Sequence, residues 1–259
     1  MYVNEKPAAE ISDDTTATLD ISSLVRPGRT NRLLIYNHMN HVLLRDVWLD
    51  ARQSRDIVLE DVFFMPSVRR KALGLRLYLW NLTDRKIEMQ VGLKVYPETE
   101  PAAARSFAAV PLALEPGEKG EREVSFPWAD PRCWHPDDPF LYRGSVRIES
   151  GGRLLDESYP ERFGFREFWI ENGAFVLNGI PFQVRMFSND NIWKSDFDDA
   201  GWRSAAASHY AGCKALAVNT QRLWCRPILA GPYDLADEMG QLMAPFSGQP
   251  TRATAALKD

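Results

Sequence analysis

The 259-residue sequence has only three cysteines, Cys133, Cys213 and Cys225. An odd, sparse set builds no disulfide framework. Cys213 and Cys225 lie twelve apart, with no His partner at metal spacing, which argues against a zinc site. Charge of one sign is also lacking: 31 Lys and Arg face 35 Asp and Glu, for a net charge of −4. The two signs are mixed along the chain, so no nucleic-acid surface or polybasic membrane patch is expected. No run is long and apolar enough to span a bilayer. The opening "MYVNEKPAAE" has neither the basic region nor the apolar stretch of a signal peptide. His38 and His41 form an H-x-x-H pair on a stretch without helical signal, which reads as an accident of spacing rather than a metal site. Asn81-Leu82-Thr83 matches a glycosylation acceptor, relevant only in a secreted eukaryotic chain.

What is present is a normal supply of core-forming residues. Apolar residues make up 45% and charged residues 25%, as in an average globular protein. Eight Trp and thirteen Phe suit β-sandwich cores and, more weakly, sugar-binding surfaces. The length allows one large domain or two ordinary ones.

Residues 1–56 read as strands and turns: Tyr2-Val3, then "TATLDISSLV", "RLLIYNH" and "HVLLRDVWLD", punctuated by Pro27-Gly28. That is about four strands where a sandwich needs seven or eight, so the piece reads as the C-terminal part of a sandwich, cut on its N-terminal side. Residues 57–165 are fuller. Leu73, Leu75, Leu77 and Leu79 alternate with Gly74, Arg76, Tyr78 and Trp80, the period of a strand with one leucine face. About seven such strands with regular turns predict a complete immunoglobulin-like β-sandwich.

From 166 the grammar changes. Asn172-Gly173 and Asn178-Gly179 are two-residue hairpin turns, since both residues tolerate positive φ. They divide 168–184 into three short antiparallel strands. Beyond residue 184, "AGWRSAAASHYAGCKALA" is helix-prone, "VNTQRLW" is a strand, and "GPYDLADEMG" is a helix with Gly240 at its C-cap. "QLMAPFS" is again a strand. Strand, helix, strand, helix, strand is the start of a parallel βα-alternating sheet. Residues 251–259 are a polar tail.

Several motifs occur in order: "RDVWL", "DVFFMPSVRR", "WHPDDPFLY", "ERFGFREFWIENGAFVLNGIPF", "NTQRLW" and "YDLADEMG". Together they resemble glycoside hydrolase family 2, which includes β-galactosidases, β-glucuronidases, β-mannosidases and exo-β-glucosaminidases. The likeness covers roughly residues 2–248 and implies an internal fragment. On that basis 1–56 is the end of a jelly-roll domain of sugar-binding type, 57–165 the immunoglobulin-like sandwich and 166–250 the start of a (β/α)₈ barrel. The fold class expected is multidomain and mainly β.

The resemblance implies retaining, exo-acting hydrolysis of O-glycosidic bonds in β-glycosides, with no cofactor. Such chemistry needs two carboxyl groups, one acid/base and one nucleophile, about 5–5.5 Å apart. In the family these resemble Glu residues at the ends of barrel strands four and seven, the first preceded by Asn. No Asn-Glu pair follows Arg222, so no catalytic residue is assigned in this chain and the isolated chain is expected to be inactive. Asp237 and Glu238 are adjacent on a helix, about 100° apart, and read as a solvated face rather than an acid pair.

Substrate-binding roles are carried over to five residues. Arg222, in the N-T-x-R-L pattern, resembles the arginine that holds the nucleophile carboxylate and the sugar; the plainer reading is a strand-end ion pair. Trp224 either stacks on a sugar face or packs in the core. Asn189, Asp190 and Trp193 lie where first-strand residues contact the glycone. R-x-W leans towards β-mannosidases, and "NTQRL…YDLADEMGQLM" towards exo-β-glucosaminidases. The partner expected is a carbohydrate, with no nucleic acid and no membrane. Oligomeric state and localisation stay open. The rival function is a non-catalytic β-sandwich module that binds carbohydrate or spaces neighbouring domains; the βα-alternating segment speaks against it.

Overall fold

The structure, a computed structural model, describes residues 1–10, 19–36, 47, 49–51, 56–188, 201–224 and 230–246, the side chains of 223–224, 230 and 245–246 excepted. It is mainly β and divides into two compact units, Met1–Ala51 and Arg52–Asp259. His38 and His41 lie outside the described residues.

In the first unit, β1 (Tyr2–Val3), β2 (Lys6–Pro7) and β3 (Leu33–Leu34) form an antiparallel sheet in the order β2-β1-β3. Asn4 and Glu5 take positive φ of 50° and 69° to close the first hairpin. The Asn4 side-chain amide donates to the Leu24 carbonyl and to Asn31 Oδ1, and its oxygen accepts from the Arg32 amide. "ISSLV", expected as part of a strand, instead turns: Leu24 and Val25 donate to the Ile21 carbonyl. Asp20 Oδ1 accepts from the Ser22 amide at 2.8 Å, an Asx turn that outbids extension.

The second unit begins with a sandwich. One sheet has β4 (Ile57–Ser67) and β5 (Ala72–Asn81) paired with each other, β5 also pairing β9 (Lys119–Pro127). The other is built on β6 (Ile87–Pro97), which pairs β7 (Arg105–Ser106), β8 (Val110–Leu114) and β10 (Leu141–Ser150). Strand β10 in turn pairs β11 (Arg153–Glu157) and β12 (Glu161–Gly164). The leucine face of β5 is the middle of the core: Leu73, Leu75, Leu77 and Leu79 are all at most 1% exposed. Each such burial contributes roughly 1.5–3 kcal/mol. Val91, Val146 and Ile148 of the facing sheet join the same cluster.

Asn81 is fully buried at the end of β5. Its Nδ2 donates to the carbonyls of Arg85, Leu114 and Glu115, and its Oδ1 accepts from the Thr83 amide and hydroxyl. The apparent glycosylation acceptor is therefore a structural turn, closed to any modifying enzyme.

Three short strands follow: β13 (Phe168–Glu171), β14 (Ala174–Leu177) and β15 (Ile180–Pro181), paired antiparallel in that order. Asn172, Gly173, Asn178 and Gly179 all have positive φ, between 50° and 87°, as two-residue hairpin turns require. The remainder alternates: β16 (Met186–Ser188), α1 (Trp202–Ala215), β17 (Thr220–Trp224), α2 (Ala230–Met239) and β18 (Leu242–Phe246). Strands β16, β17 and β18 form a parallel sheet in sequence order.

The loop "WHPDD" (134–138) fastens the sandwich to this alternating segment. Trp134 is fully buried, and its Nε1 donates to the Asp237 carbonyl at 2.7 Å. Its ring lies against Gly164, where an added Cβ would meet it at 3.0 Å, and under the Arg166 guanidinium. The Pro136 carbonyl accepts from Lys214 Nζ of α1 and abuts Gly240, just past α2. Ion pairs complete the join: Arg162 with Asp234 and Glu238, Arg166 with Asp237, and Arg203 with Glu238. Burial alone would lower the Arg162 pKa, but the Glu238 and Asp234 hydrogen bonds outweigh it and raise it. Asp237 and Glu238 are thus not the solvated face expected from the sequence. They tie α2 down.

Candidate functional site

The alternating segment places its polar residues by register. In a parallel sheet, paired residues share a face. Phe187, Gln221 and Met243 are in register. The helices cover that face. Phe187 lies 5.8 Å from the His209 ring, Gln221 contacts His209 at 3.1 Å, and Met243 packs with Tyr210, Leu235 and Ala236. Two layers occupy the opposite face. Met186, Thr220 and Leu242 form the lower one, and Leu242 packs into the cluster of Trp134, Leu141, Leu177 and Phe182. Ser188, Arg222 and Ala244 form the upper one, towards the C-terminal ends of the strands.

Arg222 is thus central in the sheet, half-buried, on the face away from both helices. A guanidinium there presents fixed, charge-assisted donors suited to a carboxylate or to sugar hydroxyls. Ser188, which the sequence reading did not single out, shares its layer; its position just before Asn189 was the only signal. Trp224 ends β17 in register with Phe246. Asn189, Asp190 and Trp193 lie outside the described residues. Two shallow concavities sit on the sandwich instead. One is lined by Asp56, Arg85, Ile87, Ser150, Arg153 and Leu155.

The segment is held in register by side chains near the strand starts. Asn219 Oδ1 accepts from the Arg185 amide at 2.9 Å, and its Nδ2 donates to the Gln183 carbonyl at 2.9 Å. Gln221 Nε2 donates to Gln241 Oε1, and Gln241 Nε2 to the Val218 carbonyl. Asn219, Gln221 and Gln241 are each at most 7% exposed, so these bonds are what makes their burial tolerable. The sequence reading missed this network, because Gln221 and Gln241 are 20 residues apart and meet only through strand pairing. It also gave Cys213 no His partner, although His209 sits four residues earlier in the same helix, with its Nε2 at 3.4 Å from Cys213 Sγ.

At the hairpin, Glu167 accepts from Ser67 Oγ, the Arg69 amide and Arg69 Nε, while its own amide donates to Asn178 Oδ1. Burial pushes the Glu167 carboxyl up, but the Arg69 hydrogen bonds and charge hold it below the usual carboxylate range. The hairpin is thereby clamped to the β4–β5 turn.

Fold and site together define a β-sandwich that runs into a parallel βαβαβ segment with an arginine at its strand ends. The sequence profile described as glycosyl hydrolases family 2 matches residues 57–166. Over residues 57–166 the chain is thus similar to glycosyl hydrolase family 2. It is 29% identical to a beta-galactosidase from Thermoanaerobacter pseudethanolicus, over 31% of this chain and 13% of that protein. It is 28% identical to the beta-galactosidase BgaC of Bifidobacterium adolescentis, over 47% of this chain and 11% of that protein. The chain therefore spans only a small part of these relatives.

Two solved structures share the fold. A family 2 member from Bacteroides cellulosilyticus aligns over 95% of this chain and 35% of its own, with TM-score 0.64 and 18% identity. A beta-galacturonidase from Eisenbergiella tayi, bound to galacturonate, aligns over 74% of this chain and 33% of its own, with TM-score 0.57 and 24% identity. No helix among the described residues is long and apolar enough to cross a membrane. No group of three or more His, Cys, Asp or Glu gathers among them either.

Proposed function

We propose that this chain is scaffold from a retaining, exo-acting β-glycosidase: the end of a jelly roll, an immunoglobulin-like sandwich and the first strands of a (β/α)₈ barrel. The observation that carries this reading is the position of Arg222. It lies in the upper layer of a parallel sheet, on the face the helices leave open, and barrel enzymes build their sites at that end of the strands. The match of residues 57–166 to family 2 supports a carbohydrate substrate. In this reading Arg222 orients the nucleophile carboxylate and the terminal sugar. Ser188 and Trp224, with Asn189, Asp190 and Trp193, line the glycone subsite.

The acid/base and nucleophile are not among this chain's residues. The carboxylates of α2 that come nearest to the pattern, Asp237 and Glu238, are committed to Arg166, Arg162 and Arg203. By itself the chain positions a sugar without cleaving it. For the sugar, R-x-W favours a mannoside and "NTQRL…YDLADEMGQLM" a glucosaminide, whereas the relatives named above act on galactosides or a galacturonide by their names.

A panel of aryl β-glycosides tests both parts. The purified chain is expected to release no aglycone from any of them. Saturation-transfer NMR should detect weak binding of one glycone class, lost in Arg222→Ala. Turnover abolished by Arg222→Ala would overturn the non-catalytic assignment, and binding indifferent to that substitution would overturn the role of Arg222.

A further inference from the structure

The buried amides behind the sheet fix a hydrogen-bonding direction. The Val218 carbonyl can only accept, so Gln241 must present its Nε2 there, at 3.1 Å. Gln241 Oε1 then faces Gln221, which must donate its own Nε2, at 2.8 Å. Gln221 is left with its oxygen turned to His209 Nε2, at 3.1 Å, and cannot flip without breaking both earlier bonds. Cys213 Sγ also lies within reach of that nitrogen, at 3.4 Å. An imidazole nitrogen, a sulfur and an amide oxygen, all able to ligate once the nitrogen gives up its proton, thus meet around His209 Nε2.

We propose that His209, Cys213 and Gln221 form a binding site for a soft divalent cation of the Zn²⁺ class. With Zn–S about 2.3 Å and Zn–N about 2.0–2.1 Å, the S···N edge of a tetrahedral site is about 3.5 Å, and an N···O edge is about 3.4 Å. The observed separations of 3.4 and 3.1 Å match these edges with little movement. His209 and Cys213 are spaced i, i+4 on α1, so they already share one helix face, while Gln221 supplies the third donor from β17. Thiolate and imidazole select a Zn²⁺-type ion over Ca²⁺ or Mg²⁺. The fourth position is left to water.

The binding step balances simply. The Cys213 S–H bond breaks as the sulfur–metal bond forms, and one proton passes to solvent. The Nε2 proton of His209 moves to Nδ1, which frees Nε2 to ligate. The ion then pins α1 to β17 one residue from Arg222. It stabilises the folded chain by an amount that grows with metal concentration.

The test titrates the whole chain, first stripped with a chelator, with Cd²⁺ alone. The readouts are the ultraviolet thiolate-to-cadmium band and the thermal midpoint. One equivalent is expected to produce the band and raise the midpoint. Cys213→Ser should lose both, His209→Ala should weaken binding by about 10–100-fold, and Cys133→Ser and Cys225→Ser should change neither. A band that survives Cys213→Ser, or follows Cys133 or Cys225, overturns the proposal. If Cys213→Ser fails to fold by circular dichroism, His209→Ala decides: its side chain is only half-buried, and unchanged affinity there would equally overturn it.

Discussion

Replacing Gly240 with alanine puts the join between sandwich and alternating segment to a direct test. Gly240 has φ of +70°, and a Cβ built on it would lie 2.0 Å from the Pro136 carbonyl oxygen and 2.8 Å from its carbon. Left-handed backbone costs an alanine about 1–2 kcal/mol. The contact cannot be relieved by a side-chain rotation, because the obstruction is backbone. Moving it would pull the Pro136 carbonyl off Lys214 Nζ, now at 2.8 Å, a loss of about 0.5–1.5 kcal/mol. It would also disturb the fully buried Trp134 two residues away, whose Nε1 donates to the Asp237 carbonyl in a partly buried bond. A leftover unpaired group there would cost about 1–3 kcal/mol more. The expected destabilisation is therefore about 3–5 kcal/mol. Gly212→Ala is the matched control. Gly212 sits exposed in α1 with nothing within 4 Å of an added Cβ, so the same change should stabilise by about 0.5–1 kcal/mol. Urea unfolding followed by Trp fluorescence reads both, and hydrogen exchange should show residues 134–138 and α2 loosening together in Gly240→Ala. A loss below about 1 kcal/mol in Gly240→Ala, or shifts of the same sign in the two variants, would refute the reasoning.

Other substitutions probe other joints. Asn81→Ala leaves three carbonyls, that of Leu114 buried, without their shared donor and should cost about 2–4 kcal/mol, measured by urea unfolding; a change under about 0.5 kcal/mol would show the turn is held otherwise. Glu167 has a depressed pKa, so its contribution is present at neutral pH and is lost as pH falls through its folded-state value. Thermal midpoints of Glu167→Gln should accordingly fall less steeply on acidification than those of the unaltered chain, and identical acid slopes would count against the clamp. Gly144→Ala drives a methyl to 2.6 Å from the Phe64 ring and should destabilise the sandwich by about 1–3 kcal/mol, with the Phe64–Phe163 stack lost from ring-current shifts in NMR spectra.

The sequence by itself determined what depends on local spacing. Alternating leucines at 73–79 fixed the core face of β5, because a strand sends every second side chain the same way. The two Asn-Gly pairs fixed the hairpin turns, because few other residues accept positive φ twice in succession. Gly240 was legible as a helix C-cap for the same reason, and the run of motifs was enough to point to family 2, whose profile matches residues 57–166. Tertiary structure decided everything that depends on residues far apart meeting. Asp237 and Glu238 looked like a solvated face until Arg162, Arg166 and Arg203 were brought to them from outside their helix. Asn81 looked like a surface acceptor until carbonyls from two other segments closed over it. His209 and Cys213 share a helix face that the sequence already implied, but Gln221 reaches them only because β17 packs beneath α1. Periodicity tells a side chain which way to face; only packing tells it what it will find there.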